Sequence, residues 1–119
     1  MARILLAEDD GGLRRVLAGR LQSAGHEVDA VGDGHTALAA ISGQPYDILV
    51  TDVVMPGLDG VELARRAVRN RPGLPVVLIA GFAAVAMSQS ATPSGHFRTL
   101  ARPVHLRQLA SEVERILAA

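Results

Sequence analysis

The feature that most constrains the fold is an alternation of short apolar runs with longer segments of helical periodicity. Each run is four or five residues long, which is too short for a buried helix but typical of a strand inside a sheet. Strands that alternate with helices predict a parallel sheet covered by helices on both faces. The predicted strands are residues 4–7, 28–31, 48–51, 76–80 and 97–101.

Apolar side chains at helical spacing predict which helix faces belong to the core. One such stripe consists of Leu13, Val16, Leu17 and Leu21, and the other of Leu106, Leu109, Val113, Ile116 and Leu117. A weaker, poorly amphipathic helix is expected over residues 83–92. The pattern predicts a single α/β domain spanning residues 1–119, with no room for an output domain.

Composition excludes several classes of function. The chain has 49% hydrophobic residues but no apolar stretch approaching the length of a membrane span, so we expect a cytoplasmic protein without a signal sequence. The absence of cysteine excludes disulfides and thiolate metal sites. Because 12 basic residues balance 12 acidic ones, we expect neither nucleic acid nor membrane as a partner. All of the basic residues are arginine.

Acidic residues follow two of the predicted strands. Glu8, Asp9 and Asp10 come directly after Ala7, and Asp52 follows residues 48–51. Because parallel strands end at the same sheet edge, these carboxylates should meet where open α/β sheets bind ligands. Clustered carboxylates repel unless a divalent cation lies among them, and an oxygen-only pocket suits Mg²⁺. Asp52 is the candidate nucleophile for a phosphoryl group, the alternative being a turn or helix-capping aspartate.

Residues 52–60, together with the acidic pair after the first strand, resemble the receiver domain of two-component response regulators. The resemblance spans essentially the whole chain and implies a flavodoxin-like, doubly wound (βα)5 fold with strand order 2-1-3-4-5. It implies phosphorylation of Asp52 by a histidine kinase or a histidine phosphotransfer protein. It also implies that Mg²⁺ is held by Asp52, by Asp9 directly, by Glu8 through water and by the backbone carbonyl of Val54.

Three positions depart from the receiver pattern. Receivers usually carry serine or threonine at the position of Ala80, lysine at that of Arg102, and many carry an aromatic switch residue at that of Thr99. Arg102 keeps the positive charge and is assigned the contact with the phosphoryl group, although its planar head is larger than an ammonium group. The missing hydroxyl leaves a pseudo-receiver that does not respond to phosphorylation as an alternative.

Within the family, residues 4–10, 51–67, 81–86 and 103–109 are similar to the CpdR-like stand-alone receivers. This resemblance implies a role in regulated proteolysis by the AAA+ protease ClpXP. A phosphorelay shuttle remains an alternative, whereas a phosphatase is disfavoured because Val54 stands where such hydrolases need a general acid. We therefore expect a monomeric regulatory binding module and not an enzyme.

The remaining polar residues are interpreted structurally. Asp10 is predicted to cap a helix beginning near Gly11, and Asp59 to cap a helix over residues 61–70. The four histidines, at positions 26, 35, 96 and 105, are predicted to lie on the surface. The arginines at positions 65, 66, 69 and 71, with Glu62, are interpreted as a solvated helix face in preference to a phosphate or nucleic-acid site.

Overall fold

The computed structural model describes residues 2–80, 97–101 and 106–118. The strands are β1 (Arg3–Ala7), β2 (Glu27–Val31), β3 (Ile48–Asp52), β4 (Val76–Ala80) and β5 (Phe97–Ala101). The helices among these residues are α1 (Gly11–Ser23), α2 (Gly34–Gly43), α3 (Gly60–Asn70) and α4 (Leu106–Ala118). Every predicted strand is confirmed to within one residue at each end. The helix predicted over residues 83–92 lies outside the described residues.

The strands form one parallel sheet with the order β2-β1-β3-β4-β5, which confirms the predicted topology. β1 and β3 are neighbours, and Ala7 at the end of β1 is in register with Thr51. Asp52 is in register with Ile79 of β4. The residues that follow β1 and those at the end of β3 therefore lie at the same edge of the sheet.

Side chains of the strands alternate between two apolar layers, one on each face of the sheet. On one face, Leu5, Leu49 and Leu78 pack with buried residues of α2 and α3. On the other face, Ile4 and Val50 belong to a cluster that includes residues of α1 and α4. Helices thus cover both faces of the sheet, as the alternation of strands and helices predicted.

The apolar stripe of α1 is confirmed except at one position. Leu17 and Leu21 are fully buried, and Leu13 is partly buried against the same cluster. Val16 is 50% exposed, so its assignment to the core was wrong. Val16 lies about 100° around the helix from Leu17, at the margin of the stripe.

None of the helices within the described residues combines the length and the hydropathy that a membrane span requires.

His26 was predicted to lie on the surface, and this prediction was wrong. The residue is buried between α1 and β2, with a relative exposure of 8%. Its Nδ1 atom accepts a hydrogen bond of 3.1 Å from the backbone N–H of Ala2. Because Nδ1 accepts, Nε2 is the donor to Oε1 of Glu114 on α4, at 2.6 Å. His35 is exposed as predicted, whereas His96 and His105 lie outside the described residues.

The arginines predicted to form one solvated face separate into two groups. Arg65 and Arg66 lie on α3 and pair with Glu62, as the helical spacing predicted. Arg71 follows the end of α3 and donates to the backbone carbonyls of Ile41 (3.2 Å) and Gln44 (2.8 Å). Placing Arg71 on the solvated face was wrong, because its guanidinium group ties α3 to the end of α2.

Candidate functional site

Three carboxylates meet at the carboxyl edge of the sheet. Glu8 follows β1, Asp9 comes next, and Asp52 ends β3; each offers an oxygen, and these oxygens all lie within 4.8 Å of one another. Glu8 is fully buried and Asp52 is only 3% exposed, whereas Asp9 is exposed to solvent. The structure therefore brings together the acids that the sequence placed at this edge.

Glu8 has the most perturbed carboxyl group of the cluster. The pKa of Glu8 is raised from 4.5 to about 7, chiefly because its side chain is buried and also because Asp52 is negatively charged. The backbone N–H of Asp10, which donates to Oε2 of Glu8 at 3.2 Å, acts in the opposite direction. Near neutral pH, the carboxyl group of Glu8 is therefore partly protonated. A cation bound among the carboxylates would replace that proton.

The donor set of the cluster fits Mg²⁺. Its three side chains offer only carboxylate oxygens, which are the ligands that this hard ion prefers. Mg²⁺ binds oxygen at about 2.0–2.1 Å, so ligands on opposite sides of the ion lie about 4.2 Å apart. The spacing of at most 4.8 Å within the cluster is on that scale. The exposure of Asp9 leaves one side of the cluster open to solvent.

The loop after Asp52 is short and held against the strand. Val54, the predicted carbonyl ligand, lies in this loop and is 69% exposed. The N–H of Gly60 donates to the carbonyl of Val53 at 2.8 Å. Asp59 caps α3 as predicted, because its side chain accepts from the N–H of Glu62 at 2.9 Å. The first turn of α3 is therefore fixed directly beside the candidate nucleophile.

Gly60 has a role that sequence reasoning missed. A Cβ atom at this position would lie 2.0 Å from the backbone oxygen of Asp52 and 2.8 Å from the Cα atom of Val53. Only glycine allows α3 to begin this close to the strand. The sequence placed Gly60 in a sharp turn but contained no signal for this contact, which depends on how α3 packs against β3.

The loop between β1 and α1 is fixed by contacts on both of its sides. Asp10 caps α1 as predicted, accepting from the N–H of Leu13 at 3.0 Å. Nη1 of Arg14 donates to the backbone carbonyl of Glu8 at 2.8 Å, and the N–H of Glu8 donates to Val31 at 3.1 Å. Arg14 was also missed, because nothing in the sequence distinguishes it from the other arginines of α1.

Ala80, where receivers usually carry serine or threonine, lies at the same edge of the sheet as the acidic cluster. Ala80 is the last residue of β4 and is in register with Ala101. Arg102, the side chain of Ala80 and the side chain of Thr99 lie outside the part of the chain that the structure describes. The assignment of Arg102 to the phosphoryl group therefore stays a prediction.

Comparison with known families identifies the family to which this fold belongs. The family model described as the response regulator receiver domain matches residues 4–114. The chain belongs to this family. As a receiver it is a regulatory protein and not an enzyme that turns over separate metabolites, as the sequence predicted. The parallel sheet and the acidic edge described above are features of the receiver fold.

Two relatives of this receiver differ in how much of their length it spans. It is 44% identical over 119 residues to the response regulator receiver protein CpdR of Brucella abortus, covering 100% of this chain and 99% of that protein. It is 36% identical over 114 residues to the transcriptional regulatory protein TcrA of Mycobacterium tuberculosis, covering 96% of this chain but only 45% of TcrA. The similarity to CpdR is thus a full-length one.

Solved structures resemble the receiver over nearly its whole length. A response regulator receiver protein from Sinorhizobium medicae has a TM-score of 0.89 and 33% identity, covering 99% of this chain and 95% of that one. The receiver domain of the hybrid histidine kinase CckA has a TM-score of 0.82 and 32% identity, covering 97% and 98%. These similarities confirm the flavodoxin-like receiver fold.

Proposed function

We propose that this receiver is a binding module gated by phosphorylation of Asp52 in the presence of Mg²⁺. The observation that carries the proposal is the cluster of Glu8, Asp9 and Asp52, whose oxygens lie within 4.8 Å of one another. A chain that no longer accepts phosphate has no need to keep three mutually repelling acids, two of them buried. The retained cluster therefore favours a working receiver over a pseudo-receiver.

The proposed reaction is transfer of a phosphoryl group from a histidine of a kinase or of a phosphotransfer protein. A carboxylate oxygen of Asp52 attacks the phosphorus, and the bond between phosphorus and the histidine nitrogen breaks. The electron pair of that bond stays on the nitrogen, which takes up a proton. The product is an acyl phosphate on Asp52. A phosphorelay shuttle uses this same chemistry in both directions.

The other residues of the site have supporting roles in this proposal. Glu8, Asp9, Asp52 and the carbonyl of Val54 would hold Mg²⁺, which offsets negative charge on the phosphoryl group as it is transferred. The burial of Asp52 and the fixed start of α3 keep the nucleophile in one position. Arg102 would contact the phosphoryl oxygens through its N–H donors.

We further propose that the output is a protein–protein interaction in regulated proteolysis. The support is full-length similarity to CpdR, which covers 100% of this chain at 44% identity. The resemblance to CpdR-like receivers implies that the unphosphorylated form engages the protease ClpXP and that phosphorylation ends this engagement. The partner on the input side would be a histidine kinase or a histidine phosphotransfer protein.

The test of phosphorylation uses intact mass. The purified protein and the Asp52→Ala variant are incubated with acetyl phosphate and Mg²⁺. We expect the parent to gain one phosphoryl group and Asp52→Ala to gain none. Asp47→Ala is a matched control, because Asp47 precedes β3 at the opposite edge of the sheet and its loss should leave phosphorylation intact. A parent that binds Mg²⁺ but gains no phosphoryl group would establish the pseudo-receiver instead.

The same samples test the output. Unphosphorylated protein, protein of verified phosphorylated mass and Asp52→Ala are applied to immobilised ClpX, and binding is followed by interferometry. We expect the unphosphorylated parent and Asp52→Ala to bind, and the phosphorylated parent to bind at least about tenfold more weakly, as typical coupling free energies allow. Equal binding of the two forms, or no binding of either, would remove ClpXP control from the proposal.

A further inference from the structure

A groove between α2 and α3 lies on the face of the sheet opposite α1 and α4. It has a volume of about 300 Å³ and is lined by Leu38, Ser42, Arg66, Arg69 and Asn70. None of these residues belongs to the acidic cluster. We propose that this groove is a docking site for an acidic segment of a partner protein that also carries an apolar side chain.

The charge of α3 is the first argument for an acidic occupant. α3 carries three arginines and one glutamate, although the whole chain carries 12 basic and 12 acidic residues. Glu62 already lies 3.2 Å from Nε of Arg66 and 3.6 Å from Nη1 of Arg65. Within the described residues, Arg69 has no ion pair. Arg69 and the remaining N–H donors of Arg66 can therefore bind carboxylates of a partner.

The shape of the groove is the second argument. Nδ2 of Asn70 donates to Oγ of Ser42 at 2.8 Å, and this hydroxyl donates to the carbonyl of Leu38 at 3.1 Å. The bond between Asn70 and Ser42 joins α3 to α2, so the groove exists before a partner arrives and little ordering entropy is lost on binding. Leu38, which is partly buried, gives the groove an apolar wall. Its lining contains no aromatic side chain on which a nucleotide base could stack, which favours a peptide over nucleic acid.

Both helices of the groove rest on the segment that follows Asp52. A Cβ atom on Gly60 of α3 would lie 2.0 Å from the carbonyl oxygen of Asp52, and one on Gly34 of α2 would lie 2.5 Å from that of Leu58. A movement of residues 53–59 would therefore displace both helices. Gating of the groove through this segment rests on the proposed phosphorylation of Asp52, and it requires no aromatic side chain at position 99.

The docking site is tested with a short fluorescein-labelled peptide of repeated Glu-Glu-Leu on the unphosphorylated protein. We expect amide shifts at Leu38, Ser42 and Asn70 in ¹⁵N spectra and saturable anisotropy. Arg69→Glu should weaken binding about tenfold or more, because it replaces an attraction by a repulsion. Arg20→Glu is the matched control. It reverses the same charge at an exposed position of α1, on the other face of the sheet, and should change the peptide affinity less than twofold.

Three outcomes would overturn the docking site: no shifts at these residues, an equal loss in Arg20→Glu, or tighter binding of oligothymidine to the same residues. Gating is then tested by measuring the peptide affinity of protein whose phosphorylated mass has been verified. A changed peptide affinity supports gating, whereas an unchanged affinity removes gating and leaves the docking site standing. A parent that cannot be phosphorylated contradicts the proposed function, and the measurement on unphosphorylated protein still decides the docking site.

Discussion

Replacing Gly60 by alanine is expected to destabilise the protein and to weaken Mg²⁺ binding and phosphorylation at the same time. The new Cβ atom would meet the backbone oxygen of Asp52 at 2.0 Å and the Cα atom of Val53 at 2.8 Å. Because both obstacles are backbone atoms, no side-chain rotation can relieve the clash. Either α3 moves outward or the backbone that carries Asp52 moves inward.

The size of the effect follows from the cost of overpacking. Inserting one methyl group into a filled site typically costs about 1–3 kcal/mol, and the clash with backbone atoms of Asp52 and Val53 places Gly60→Ala near the upper end. A loss of about 3 kcal/mol corresponds to a fall of roughly 10–15 °C in melting temperature for a domain of this size. Urea unfolding measures the stability of the variant. A titration with Mg²⁺ measures its affinity for the ion, and intact mass after incubation with acetyl phosphate measures its phosphorylation.

Gly19 provides the matched control for this substitution. It lies inside α1, where an added Cβ atom would meet nothing within 4 Å. Alanine is the better helix former, so Gly19→Ala is expected to stabilise the protein by about 0.5–1 kcal/mol and to leave Mg²⁺ binding unchanged. If Gly60→Ala behaved like Gly19→Ala, the start of α3 would not be seated on Asp52 as described.

The parts of the molecule that could be predicted from the sequence depend on local patterns. Strand bounds follow from short apolar runs, and the sheet edge at which the acids meet follows from the parallel order of the strands. The caps of Asp10 and Asp59 reach backbone N–H groups only three residues away. Such features are decided within one element or by the class of the sheet, so one sequence is enough to find them.

The parts that could not be predicted depend on contacts between elements. The partner of His26 is Glu114, 88 residues further along the chain, and no spacing rule joins them. The role of Gly60 depends on how closely α3 approaches β3, and that of Arg14 on where the β1–α1 loop runs. Val16 belongs to the periodic stripe but lies at its margin, where small rotations of a helix decide burial.

The second large effect concerns the free energy of unfolding without Mg²⁺, which we expect to fall as the pH rises. The pKa of Glu8 is about 7 in the folded protein and 4.5 in the unfolded chain, because burial and the charge of Asp52 disfavour its ionised form. Between these values the folded state binds more protons, so stability is present below about pH 4.5 and is lost as the pH rises through 7. The size of this loss is on the order of 3 kcal/mol.

Glu8→Gln tests this prediction, because the amide cannot ionise. At pH 8 the variant should be more stable than the parent in the absence of Mg²⁺, and the loss between about pH 4.5 and 7 should be smaller. The order should reverse when Mg²⁺ is added, because the ion stabilises only a folded state that still offers its carboxylates. Glu27→Gln, which removes the same charge from an exposed position of β2, should change neither behaviour. If Mg²⁺ stabilised the parent at pH 8 no more than it stabilises Glu8→Gln, Glu8 would be a buried structural acid that takes no part in holding the ion.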